Sequence, residues 1–69
     1  METDQAVDKI KRDLEERYGK IDDIRPERLK FDETLKEYSM IVRFKLENEE
    51  RVVVYYFSKD GNILRHFNL

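Results

Sequence analysis

The chain has 69 residues, of which 43% are charged, and its 16 acidic and 14 basic side chains leave a net charge of −2. Because cysteine is absent, disulfides and thiolate metal sites are excluded. The pI near 5.4 argues against general affinity for nucleic acid or for anionic membranes, both of which need a basic excess. This length supports one small domain, residues 1–69, and self-association is a common source of extra stability for so small a core.

No stretch is long and apolar enough to span a membrane, and the first residues contain no apolar segment typical of a secretory signal. We therefore expect a soluble, cytoplasmic protein. The high content of Lys, Glu and Arg is also typical of thermophilic proteins.

Residues 4–18 predict an amphipathic helix, because apolar side chains recur at intervals of three and four. Thr3 or Asp4 is the predicted N-cap, and Gly19 is the predicted left-handed residue that ends the helix. Ile21 should then lie under the helix end. The apolar stripe is Val7, Ile10, Leu14 and Tyr18, and the predicted ion pairs on the wet face are Asp8–Arg12, Asp13–Arg17 and Glu16–Lys20.

The segment Ile24–Phe31 predicts a strand at a sheet edge. Pro26 lacks a backbone donor and is therefore confined to an edge or to a strand start. Leu29 and Phe31 alternate with charged residues, which fits a half-buried strand whose charges discourage edge-to-edge pairing.

The next segment, Tyr38–Leu46, shows a strict alternation that predicts a strand with one buried face. Glu47–Glu50 is the predicted four-residue loop that reverses the chain. The predicted core positions are Tyr38, Met40, Val42, Phe44 and Leu46, and the opposite positions include Ile41, Arg43 and Lys45.

The last 19 residues predict a β-hairpin, with apolar segments on both sides of Lys59-Asp60-Gly61. Two turns are possible. A two-residue turn on Asp60-Gly61 pairs Val54 with Phe67 and Tyr56 with Arg65. A three-residue loop with left-handed Gly61 pairs Phe57 with Ile63, Tyr55 with Arg65 and Val53 with Phe67. We favour the three-residue loop because it gathers one apolar set on the core face: Val53, Phe57, Ile63, Phe67 and Leu69.

The predicted fold is therefore α+β, with one N-terminal helix packed on one face of a three- to four-stranded antiparallel sheet. One helix covers one face, so the opposite face must meet solvent or a partner. One interpretation is that the apolar residues on this opposite face are simply strand formers exposed to solvent. Another is that Ile24, Leu35 or the chain ends cover them. The sharper hypothesis is a partner interface, most simply a two-fold homodimer, formed by Ile41, Val52, Val54, Tyr56, Leu64 and His66.

No sequence motif for catalysis, cofactor binding or metal binding is present, so we expect neither an enzyme nor a cofactor. His66 is the only histidine, and a strand histidine beside aromatic residues is more often a packing residue than a base or ligand. The acidic pairs Asp22-Asp23 and Asp32-Glu33 are typical of solvated turns.

The predicted function is a non-enzymatic protein-interaction or self-assembling module that uses the sheet face or edge away from the helix. The alternative is a module that binds single-stranded nucleic acid, because a sheet with basic and aromatic residues can stack bases. Its predicted contacts are Arg25, Arg28, Lys30, Arg43 and Lys45, although interleaved acids weaken the positive field there.

Overall fold

A computed structural model describes all residues, 1–69, and confirms the α+β class. One helix precedes five antiparallel strands in an open sheet. Two short strands, β1 and β2, lie one after the other along β3, so the sheet order is β1/β2–β3–β4–β5. The elements are α1 (Thr3–Tyr18), β1 (Asp22–Pro26), β2 (Lys30–Asp32), β3 (Glu37–Leu46), β4 (Glu49–Phe57) and β5 (Ile63–Asn68).

The helix α1 begins one position earlier than its predicted caps. Glu2 is the N-cap, and its backbone N–H donates to Oε1 of Gln5 at 2.9 Å. At the other end, the N–H of Gly19 donates to the carbonyl of Glu15 at 2.9 Å. Gly19 has the expected positive φ of 82°, but its ψ of −144° places it outside the left-handed helical region. A residue with a side chain is strained at this φ, so Gly19 is the position at which the chain leaves the helix.

The core lies between α1 and one face of β3 and β4. From the helix come Ala6, Ile10 and Leu14, and Ile21 closes the core below the helix end, as predicted. Each large apolar side chain buried there contributes roughly 1.5–3 kcal/mol to folding. The strands supply Met40, Val42, Phe44, Val53, Tyr55 and Phe57.

The turn between β3 and β4 is shorter than predicted. Only Glu47 and Asn48 lie between the strands, and their φ values of 52° and 65° fit a type I′ turn. The predicted four-residue loop is therefore wrong, and the pairing is shifted by two residues. Because side chains alternate with a period of two, this shift keeps the predicted core face of β4 buried.

The hairpin of β4 and β5 combines the two turns considered from the sequence. Phe57 pairs with Ile63, as the three-residue loop predicts, and Gly61 has a φ of 87°. The register then shifts, and Leu64 becomes the extra residue of a β-bulge. Beyond the bulge, Phe67 lies opposite Val54 rather than Val53, so the preferred register is wrong for most of β5.

The bulge therefore reverses the predicted faces of β5. Phe67 and Leu69 were expected in the core, and both are exposed on the other face. Ile63 precedes the bulge and keeps its predicted pairing with Phe57, but at the end of the sheet it is 37% exposed rather than buried. His66 was expected on the face away from the helix, but it lies opposite the core residue Tyr55.

The segment Ile24–Phe31 lies at a sheet edge, as predicted, but it is not one strand: β1 ends at Pro26 and β2 begins at Lys30. Asp23 has a positive φ of 50°, the register shifts between Asp22 and Arg25, and β1 ends at Pro26. Such features disfavour the pairing of another strand along this edge. The other edge, β5, contains no proline.

Candidate interaction surface

Side chains of three strands form an apolar strip on the sheet face away from α1, called here the outer strip. Ile41, Val54 and Phe67 are cross-strand neighbours on β3, β4 and β5. Val52 and Tyr56 flank Val54 on β4, since they alternate with the core residues of that strand. The single helix, α1, packs on the other face of the sheet. The strip is therefore an apolar, partly exposed surface on the face opposite α1.

The middle of the outer strip is covered by its own neighbours. Val54 is only 9% exposed. The rings of Tyr56 and Phe67 meet edge to face with centroids 6.0 Å apart, and the guanidinium of Arg65 lies 4.4 Å from the centre of the Tyr56 ring. These contacts shield Val54 from solvent. A partner would therefore contact mainly the side chains of the outer strip that lie near β5.

Ion pairs border the outer strip at both ends. Arg65 donates to the carboxylate of Glu37, with the shorter contact at 2.7 Å. At the other end, Arg43 lies 3.5 Å from the carboxylate of Glu27 and 3.9 Å from that of Glu50. A polar border around an apolar centre is the usual anatomy of a protein interface.

The structure brings four of the six predicted interface residues together and separates two. Ile41, Val52, Val54 and Tyr56 share the outer strip. Leu64 is the bulge residue, without a partner on β4. The predicted placement of His66 on this face is wrong, because its imidazole stacks on the Tyr55 ring toward α1, with centroids 5.0 Å apart.

Sequence reasoning missed the two most prominent members of this surface. Phe67 is 52% exposed and Leu69 is 70% exposed, yet both were assigned to the core. Only the bulge at Leu64 explains their position, and the sequence carries no clear signal for a bulge there. Of the six large apolar side chains exposed in the protein, four belong to β5 and the residue after it: Ile63, Leu64, Phe67 and Leu69.

A polar cluster joins α1 to the β4–β5 side of the sheet. The Tyr55 hydroxyl donates to Oδ2 of Asp13, which also accepts a hydrogen bond from Nε of Arg17 at 2.9 Å. Burial would raise the pKa of Asp13, but the hydrogen bonds from Tyr55 and Arg17, with a smaller contribution from His66, lower it below its ordinary value. Burial and the bond to Asp13 raise the pKa of Tyr55 well above its ordinary value. The cluster keeps Asp13 charged and Tyr55 neutral across the physiological range.

Acidic neighbours neutralise part of the basic set predicted to contact nucleic acid. Arg43 is paired with Glu27 and Glu50, and Lys45 lies 3.5 Å from Asp23. The remaining members, Arg25, Arg28 and Lys30, are exposed along the β1/β2 edge and its connection. They lie at the opposite edge of the sheet from the aromatic pair of Tyr56 and Phe67.

The protein has three surface depressions. No group of three or more His, Asp or Glu side chains is close enough to hold a metal ion. The only helix, α1, is neither long nor apolar enough to cross a membrane. Comparison of the chain with protein-family models, curated proteins and solved structures finds no significant match.

Proposed function

We propose that this protein is a non-enzymatic interaction module that forms a homodimer through the part of its sheet away from the helix, at the β5 edge and the apolar side chains beside it. The observation that carries the proposal is the exposure of two large apolar side chains next to the outer strip, Phe67 on β5 and Leu69 directly after it. Solvent exposure of such a cluster is unfavourable, and a second copy would remove it from water.

The composition supports the same function. With 69 residues and no cysteine, the chain has a small core and no covalent cross-link, and association adds stability by mass action. A two-fold interface uses the same surface on both copies and therefore needs no second partner. Because the exposed cluster is small, the interface lies at the low end of the size range, and we expect a dissociation constant on the order of micromolar.

Sedimentation equilibrium between 1 µM and 1 mM tests this proposal, with a monomer–dimer equilibrium as the expected result for an interface of roughly this size. Phe67→Glu should shift the protein to monomer, because it places a charge in the apolar cluster. Leu35→Glu is the matched control, since Leu35 is also exposed but lies in the turn before β3. Circular dichroism must show that both variants are folded. A native protein that remains monomeric throughout, or two variants that dissociate equally, would overturn the proposal.

The nucleic-acid alternative remains a prediction, and the ion pairs of Arg43 and Lys45 reduce the positive charge available to it. Titration of labelled single strands at two salt concentrations distinguishes the two functions. Binding that weakens steeply with added salt would favour the nucleic-acid function.

A further inference from the structure

The edge of β5 carries backbone groups that have no partner within the chain. The N–H of Leu69 donates to the carbonyl of Val52 at 2.9 Å, which establishes which residues of β5 face β4. Alternate residues of an antiparallel strand direct both backbone groups to the same side. With the observed register, Arg65 and Phe67 face β4 as Leu69 does, whereas His66 and Asn68 direct their N–H and C=O groups away from the sheet.

These outward groups can accept another strand. The segment after the bulge, Arg65–Asn68, is regular and contains neither proline nor a positive φ, unlike the β1 edge. Strand addition at such an edge gains main-chain hydrogen bonds from both partners. The exposed side chains of Phe67 and Leu69 lie on the same edge and add apolar contacts.

We propose that two copies of this chain pair antiparallel through β5, with Phe67 of one copy directly opposite Phe67 of the other. This inference rests on the homodimer proposed above and specifies its geometry. His66 of each copy then exchanges hydrogen bonds with Asn68 of the second copy. The two sheets become one continuous sheet, with both outer strips on the same face.

The competing registers are less favourable on physical grounds. Centring the pair on Arg65 places two guanidinium groups directly opposite each other, which is destabilising. Centring it on His66 requires Leu64 to pair with Asn68, but Leu64 lies in the bulge. Centring it on Phe67 uses only regular residues.

The favoured register also makes compatible side-chain contacts. The two Phe67 rings occupy a pair without direct hydrogen bonds, where side chains approach most closely and aromatic pairs are favourable. Arg65 lies opposite Leu69 of the second copy, and its guanidinium is already compensated by Glu37. The interface therefore introduces no unpaired buried charge.

Amide hydrogen exchange measured by NMR at two protein concentrations tests the edge pairing. The amides of His66 and Asn68 should exchange slowly in the dimer and rapidly in the monomer, whereas those of Arg65 and Phe67 are bonded to β4 in both. Where about one tenth of the chains are monomeric, the exchange of His66 and Asn68 should be about tenfold slower than in a dilute sample. A native dimer in which these two amides show no concentration dependence would overturn edge pairing while leaving the homodimer intact.

Single cysteines test the register, because the native chain has none. Under mild oxidation, Phe67→Cys should form a disulfide-linked dimer, since the Cα atoms of such a pair lie within the range a disulfide spans. His66→Cys should not, because it faces Asn68 of the second copy, but the double variant His66→Cys/Asn68→Cys should. Efficient cross-linking of His66→Cys alone would overturn the Phe67-centred register. A wrong register can be distinguished from a wrong proposed function. If the protein does not dimerise at all, the native chain stays monomeric in sedimentation.

Discussion

Removal of the Tyr55 hydroxyl should weaken the attachment of α1 to the sheet. This hydroxyl is the donor to Asp13, and the ring itself is buried in the core. The substitution Tyr55→Phe keeps the ring and removes only the hydrogen bond. Hydrogen bonds to charged groups contribute roughly 1.5–3 kcal/mol to stability. Asp13 retains its bond to Arg17 and some contact with solvent, so we expect the lower value, about 1.5 kcal/mol.

Urea denaturation at pH 7, followed by circular dichroism, measures the decrease in the free energy of unfolding. Thermal denaturation measures the same effect as a decrease in Tm. In a domain of this size, about 1.5 kcal/mol corresponds to a decrease in Tm of roughly 6–12 °C. Tyr56→Phe is the matched control, because Tyr56 is the next residue and its hydroxyl makes no hydrogen bond within the protein. Equal stability of the two variants would refute the reasoning.

The effect of Tyr55→Phe should also depend on pH. Because the pKa of Asp13 is below its ordinary value of 3.8 in the folded protein, its stabilising contribution is complete above that value. The contribution is lost as the pH falls through the lowered pKa, so the native protein and the variant should converge in stability under strong acid. At high pH the sign is opposite: the raised pKa of Tyr55 costs the native protein stability above about pH 10, where the unfolded phenol ionises. Tyr55→Phe should lack this alkaline loss.

Four further substitutions, at three positions, test the core and two backbone conformations. Phe44→Ala should cost about 3–5 kcal/mol, because the ring is buried against Tyr18, and thermal denaturation should show little or no cooperative transition. Asn48→Gly should raise the free energy of unfolding by about 0.5 kcal/mol, since its φ of 65° suits glycine, whereas Asn48→Val should lower it; chemical denaturation distinguishes the two. Gly19→Ala should lose about 1 kcal/mol in the same assay through backbone strain alone, because no atom lies near the added methyl group. A neutral Gly19→Ala would show that the helix end readily adopts another conformation.

The helix and the central strands could be predicted because the periodicity of their apolar residues is strong. In β4 it also gives the correct buried face when the predicted loop length is wrong by two residues. The apolar stripe of α1 leaves one orientation toward the core. In β4, the error in the loop after Leu46 was two residues, which preserves the alternation of faces. Val53 and Phe57 therefore remained in the core despite an incorrect register.

The candidate interaction surface was less predictable because it depends on a single extra residue. The glycine at position 61 correctly favours the three-residue loop. The bulge at Leu64, however, changes which of the following β5 residues face the core. Its position is coupled to tertiary packing, with His66 on Tyr55 and Phe67 beside Val54. Such contacts cannot be predicted from the local sequence. For this reason Phe67 was predicted in the core, although it lies on the surface.

The difference between the two edges of the sheet has a consequence for the size of any assembly. A strand edge that accepts its own copy can generate fibres when both edges of each molecule are open. Here the β1 edge is interrupted by Asp23 and Pro26, so only β5 offers a regular edge. In the proposed dimer, pairing of two β5 strands occupies the open edge of both copies, so growth should end at two chains rather than continue into a filament.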